Sequence, residues 1–211
     1  MTKKIFFLII DVLCLCILPA HSQNYLKQLG NAAKNAAEKT MEKKMENATY
    51  YTPNDDKIVG YDDSASIQNA IDVAIAKGVN KVVIPRFNRR TKQPVWTITR
   101  AISLPSNITV ILDNAYLVMA DGVYTNAFRN GGVYTHKYGD GNIIEEIYGV
   151  NDERDHDIVL RGEGFACIDG GNPNDLLEKT FEAENLPLNI NNDVIYFKNV
   201  ERFEISNIAV K

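Results

Sequence analysis

Two rhythms of apolar residues divide the chain beyond residue 50. Between Ser64 and Gly78 the apolar positions Ile67, Ile71, Ala74 and Ile75 recur at helical spacing. This is one face of an amphipathic helix, with Ser64 placed to cap its start and Gly78 to end it. After Gly78 the rhythm changes to short β-rich runs at 81–85, 95–99, 108–112, 116–119, 157–160, 165–169, 194–197 and 203–205. Runs of this length, bounded by Asn, Asp and Gly, predict strands. Several come as pairs separated by a corner, and the corners carry Asn114, Gly162, Gly164, Asn199 and Asn207. Asn and Gly reach left-handed backbone angles at low steric cost, and sharp corners need such angles. A two-strand unit that returns, with irregular insertions, predicts a solenoid; its imperfect repeat leaves a β-sandwich as the other all-β solution.

Upstream, residues 25–49 carry Leu26, Leu29, Ala33, Ala36, Ala37, Met41 and Met45 at helical spacing. They predict a helix with one weakly apolar stripe. It is an extension of the body, or a helix that docks on a partner or a membrane surface through Lys27, Lys34, Lys39, Lys43 and Lys44. The first 22 residues have the layout of a secretory signal. Lys3 and Lys4 precede an apolar run broken by Pro19, and Ala20-His21-Ser22 supplies small residues at a cleavage site before Gln23. The run is shorter than the roughly 20 apolar residues needed to cross a bilayer, so no membrane span is expected after cleavage. The expected location is secreted or periplasmic. An uncleaved N-terminal anchor is the other reading. The predicted organisation is a signal peptide at 1–22, a helical extension and linker at 23–54, and a β domain at 55–211.

Composition narrows the function classes. The chain has 211 residues, 45% apolar and 24% charged, with a formal net charge of -4. That balance excludes a mostly disordered chain and a multi-span membrane protein. It offers no basic excess for nucleic acid. Cys167 is the one cysteine outside the signal segment, so the body has no internal disulfide, and an apolar setting predicts a buried, inert thiol.

A resemblance becomes specific at five places in order. Asp62-Asp63-Ser64-Ala65-Ser66-Ile67-Gln68-Asn69-Ala70-Ile71-Asp72 resembles the opening of pectate-lyase-superfamily domains, an acidic start before a helix of pattern Ile-Gln-x-Ala-Ile-Asp. Lys81-Val82-Val83-Ile84-Pro85 is similar to that family's first strand, and Leu104-Pro105-Ser106-Asn107 to the lead-in of its first full coil. Cys167-Ile168-Asp169-Gly170-Gly171-Asn172 resembles the Ile-Asp-Gly coil corner of polygalacturonase-like proteins related to glycoside hydrolase family 28, and residues 197–208 resemble the following coil. The resemblance covers roughly residues 55–211. It implies a mainly β fold, a right-handed parallel β-helix of few coils, with an N-terminal capping helix behind the helical extension. It implies glycosidic-bond cleavage in a pectin-like polysaccharide, by hydrolysis or by elimination, with no cofactor.

The family's catalytic aspartates lie on coils C-terminal to the Ile-Asp-Gly coil, and its Asn-x-Asp, paired-Asp, Gly-His-Gly and Arg-x-Lys signatures do not occur in this sequence. The expectation is therefore an N-terminal portion of such an enzyme, incomplete at the C-terminus and inactive alone. Its open last coil would expose strand edges and favour self-association. A non-catalytic β-helix that binds polysaccharide or serves surface attachment is the alternative.

Glycoside hydrolysis needs two carboxyl groups about 5 to 9.5 Å apart, one of them protonated. Asp169 is the catalytic candidate, because it ends a core strand at a coil corner; its other role is to hydrogen-bond the Gly170-Gly171 turn. Glu178 in the insertion 172–192 and Tyr134 in the Gly-rich stretch 131–141 are the substrate-binding candidates, as a groove wall and a sugar-stacking ring. Asp152, Glu153, Asp155, His156 and Asp157 have the composition of a divalent-ion site but not the spacing of a known calcium loop, so no metal is assigned. Arg86, Arg89, Arg90 and Lys92 read as an exposed corner.

Overall fold

A computed structural model describes residues 27–39, 48–121, 123, 125–138, 143–148, 154–171 and 193–211, the stretch 134–148 by its backbone alone. The chain divides into two compact units, Met1–Ala48 and Thr49–Lys211. In the first, residues 27–39 form a helix (α1) inside the predicted 25–49 segment. The signal segment 1–22 lies outside the described residues.

The second unit is mainly β, with parallel sheets and, among the described residues, one helix, α2 (Asp63–Ala76). The helix starts one step earlier than its predicted cap. Asp62, in extended conformation, accepts a hydrogen bond from the Ala65 backbone at 2.6 Å and is the true N-cap. Ser64 instead is buried, and its Oγ accepts from the Thr99 backbone at 2.9 Å. Ile67, Ala70, Ile71 and Ala74 are buried, whereas Ile75 is 37% exposed. Lys77 forms the C-cap, and Gly78 follows with φ +66°.

Thirteen strands follow among the described residues: β1 (Lys81–Pro85), β2 (Trp96–Ile98), β3 (Ile102–Leu104), β4 (Ile108–Asp113), β5 (Tyr116–Met119), β6 (Phe128–Asn130), β7 (Val133–Tyr138), β8 (Ile143–Tyr148), β9 (Asp155–Glu163), β10 (Cys167–Asp169), β11 (Ile195–Tyr196), β12 (Val200–Ser206) and β13 (Ala209–Val210). β7 and β8 form an antiparallel hairpin. The others form three parallel sheets: sheet A in order β1-β4-β9-β12, sheet B in order β2-β5-β10-β13, and sheet C in order β3-β6-β11. The chain visits A, then B, then C, and repeats. Every predicted run overlaps a strand. The sequence pattern suggested two strands per repeat, but the circuit has three, because β3 and β6 are only three residues long and carry too little alternation to stand out. All pairing between circuits is parallel, unlike the antiparallel ladders of a sandwich.

Register puts like residues over like. Val82 pairs with Val110 and Val110 with Leu160 in sheet A. Trp96 pairs with Leu117 and Leu117 with Ile168 in sheet B, and Ile102 with Phe128 in sheet C. All eight are fully buried. Burying each side chain is worth about 1.5–3 kcal/mol, so these columns are the main source of stability in a body without a disulfide. Cys167 is buried among them, as expected. Trp96 satisfies its indole N–H on the Pro85 carbonyl at 2.7 Å.

Corners behave as the sequence indicates, with one exception. Asn114, Gly164, Asn199 and Asn207 all have positive φ. A Cβ at Gly164 would come within 2.3 Å of the Asn114 side chain. Gly162 is different, since it lies within β9; there the constraint is space, because a Cβ would sit 1.9 Å from the Asn207 carbonyl oxygen.

The helix α2 packs on β1, β2 and β3, the three strands of the first circuit. One carboxylate pins this contact. Asp63, 1% exposed, accepts from Arg90 Nε and Nη2 at 3.0 and 2.7 Å, from Asn88 Nδ2 at 2.7 Å and from the Thr97 backbone at 2.8 Å. The basic corner is exposed at Arg86, Arg89, Arg90 and Lys92, as the sequence predicts. Arg90 also reaches in to the buried Asp63, and Arg89 pairs with Asp56 at 2.6 Å. Replacing Asp63 by Ala would orphan the Thr97 N–H, leave the buried Asn88 amide with only its longer bond to the Val95 carbonyl at 3.3 Å, and remove the partner of Arg90. A loss of about 3 kcal/mol in unfolding free energy is expected for Asp63→Ala by denaturant titration, with Arg89→Ala near neutral as the exposed control.

Candidate functional site

The outer face of sheet A carries a shallow groove of about 570 Å³ that crosses β4, β9 and β12. Parallel register builds its floor, since Thr109, Val159 and Glu204 occupy one row across the three strands. Two residues earlier stand Asn107, Asp157 and Arg202, with φ of 62°, 56° and 54°. Three non-glycine residues in the left-handed region, one per circuit, turn each strand at the same place and direct polar side chains to the groove edge.

Arg202 and Asp157 dominate the charge there. Arg202 Nε and Nη2 donate to the two Asp157 carboxylate oxygens at 2.8 and 2.9 Å, and Nη1 donates to Glu201 at 2.7 Å. His156 Nδ1 lies 2.8 Å from Asp157 Oδ2. The Arg202 hydrogen bonds, then His156, hold the Asp157 carboxyl far below the usual carboxylate range. Asp157 and Glu201 in turn raise the Arg202 guanidinium. Both partners are substantially exposed, so the pair fixes geometry and ionisation more than stability. Glu204 accepts from Ser206 Oγ at 2.5 Å.

Asp169, the catalytic candidate, sits at the end of β10, away from these groove-lining residues in sheet A. It accepts from Tyr116 Oη at 2.6 Å, from the Gly171 backbone at 3.0 Å and from Lys211 Nζ at 3.1 Å. Tyr116 lies on the circuit before and Lys211 follows β13 on the circuit after, so one carboxylate ties three circuits together. The Tyr116 hydrogen bond, then the Gly171 N–H, and less strongly Lys211, lower its pKa, while Tyr116 is raised chiefly by the same bond. Such a group stays ionised at neutral pH and accepts protons in hydrogen bonds rather than donating one. No second carboxylate shares these contacts among the described residues.

Glu178 lies outside the described residues. Tyr134 lies on β7, opposite Ile147 in the hairpin register. Of the acidic cluster, Asp152 and Glu153 lie outside the described residues, and the rest divides by task. Asp155 accepts from Ser106 Oγ at 3.2 Å, from the buried Asn130 amide at 2.6 Å and from the Gly132 backbone at 2.6 Å, whereas Asp157 serves Arg202. Among the described residues, no group of three or more His, Cys, Asp or Glu side chains is placed to hold an ion, and no helix is long and apolar enough to cross a membrane.

Sequence reasoning missed the groove. The sequence marks Arg202 and Glu204 only within the coil-like stretch 197–208, and Asp157 only within an acidic cluster to which no metal is assigned; the register across β4, β9 and β12 brings them together. Compared with known proteins, the chain matches no family model, no curated protein and no solved structure.

The Asp169 bracket carries a pH signature. Its folded pKa lies below the ordinary 3.8, so the stabilisation is fully present above that value and is lost as pH falls through the folded pKa. Asp169→Asn should lower stability at neutral pH by about 1–2 kcal/mol and flatten the loss of stability below pH 3.8. Urea titrations of both proteins across the acid range check this.

Proposed function

We propose that Thr49–Lys211 is a right-handed parallel β-helix related to the pectate-lyase superfamily, and that the protein is a secreted or periplasmic carbohydrate-active protein of the polygalacturonase-like class. The observation that carries this reading is the circuit: strands visit sheets A, B and C in fixed order and pair in parallel with the strand one circuit away. Crossovers between parallel strands are right-handed in nearly all proteins, which supplies the hand. The helix α2 on the first circuit matches the capping helix that the sequence resemblance implies.

The groove on sheet A is the surface proposed to hold the polysaccharide. Stacked strands lie about 4.8 Å apart, so the groove offers polar groups at short, regular intervals along its length. Asn107, Thr109, Asp157, Arg202 and Glu204 supply both donors and acceptors. Arg202 is already matched by Asp157 and Glu201, and Glu204 adds a further negative charge. Like charges across a contact are costly, so this groove suits neutral, methyl-esterified stretches of a pectin-like chain better than free uronates. Asp157 and Asp169 are both held ionised, whereas cleavage by an acid-base pair needs one protonated carboxyl. That observation favours binding without turnover by this chain, whether as part of an enzyme or as a polysaccharide-binding protein.

Affinity-gel electrophoresis of the purified chain tests the proposal. Retardation should be stronger in highly methyl-esterified pectin than in its de-esterified form, with no release of reducing ends. Equal mobility in both gels and in a polysaccharide-free gel would refute the binding role. Release of reducing ends would refute the non-cleaving role.

A further inference from the structure

The sequence contains one Asn-Gly pair, Asn130-Gly131, at the end of β6. Such a pair is chemically labile, because glycine has no side chain to keep its backbone nitrogen from the preceding amide carbon. Attack forms a bond from Gly131 N to Asn130 Cγ. Nδ2 leaves as ammonia, carrying the proton lost by Gly131 N. Water then opens the cyclic imide at one of its two carbonyls and leaves aspartate or isoaspartate.

In the folded chain every group this reaction needs is occupied. The nucleophile, Gly131 N, donates to the Leu104 carbonyl at 2.7 Å. Asn130 Nδ2 spends both its hydrogens, on Asp155 Oδ2 at 2.6 Å and on the Lys198 carbonyl at 3.0 Å. Its Oδ1 accepts from the Lys198 backbone at 2.8 Å, and the residue is 1% exposed. Cγ is thus held by three hydrogen bonds, away from a nitrogen that is itself engaged elsewhere.

The same contacts bar the product from returning. An ionised carboxylate has no hydrogen to donate. At residue 130 it would set a negative charge against Asp155 and an oxygen against the Lys198 carbonyl, each in place of a hydrogen bond. Isoaspartate would also lengthen the main chain by one atom, between β6 and the Gly131–Leu104 bond. We propose that Asn130 is a deamidation site gated by the fold. The closed circuits protect it, opening of this corner exposes it, and the acid that forms keeps the corner from closing. Local openings are ordinarily reversible, but here they accumulate as irreversible loss of the folded chain. This inference is independent of the carbohydrate role.

Peptide mapping by mass spectrometry tests this on the full chain, aged at mildly alkaline pH in buffer and in denaturing guanidinium. In guanidinium Asn130 should convert faster than any other asparagine. In buffer its conversion should be at least about tenfold slower, following the population of the open form. Equal rates in the two solutions overturn the proposal. The consequence is read on Asn130→Asp, which carries the product side chain from the start. It should unfold at lower denaturant than the wild type and be cut at least about tenfold faster by a protease. Wild-type stability and protease resistance in Asn130→Asp would overturn the proposal as well. Failure of that variant to fold agrees with it, and the two ageing rates of the wild-type chain then decide.

Discussion

A parallel pair cannot be closed by a tight turn, and the whole body follows from that constraint. Each parallel strand must leave its sheet, travel round, and return beside itself before its N–H and C=O groups find partners. Here the return passes through two further sheets, so one circuit satisfies three ladders at once. The same geometry stacks Val82, Val110 and Leu160, and in parallel Trp96, Leu117 and Ile168, into continuous columns. Backbone pairing and core packing are therefore the same event.

Corners are where this arrangement is most demanding, and polar side chains cluster there. Asn114 turns with φ 49° and its side chain accepts from Phe165 N at 3.2 Å. Asp169 ties Tyr116, Gly171 and Lys211 across neighbouring circuits, and Asp155 ties Ser106, Asn130 and Gly132. Asn130, buried at 1% exposure, also exchanges hydrogen bonds with the Lys198 backbone. These brackets satisfy backbone groups that the ladders leave open. The groove on sheet A follows from the same repetition, because a left-handed residue at one register position in successive circuits aligns Asn107, Asp157 and Arg202.

Much of the fold was legible because its signals are local. Asn at corners, the apolar stripe Ile67-Ile71-Ala74 and the run Lys81–Pro85 each express a preference that neighbours suffice to fix. What escaped was set by distant partners. Ser64 looked like a cap but serves Thr99, 35 residues on, while Asp62 takes the cap. Arg90 is exposed as expected but also reaches Asp63, 27 residues back. β3 and β6 are held by each other rather than by any alternation of their own. The site was least legible of all. Asp169 was recognisable as a corner carboxylate, but its Tyr116 partner lies 53 residues away, and the Asp157–Arg202 pair spans 45.

Methyl NOE spectroscopy of the folded chain tests the stacked circuit most directly. Val82 and Val110 should show a contact, as should Val110 and Leu160, while Val82 and Leu160, two strand spacings or about 10 Å apart, should show none. A direct Val82–Leu160 contact, or loss of the Val110–Leu160 one, would contradict parallel stacking in this order.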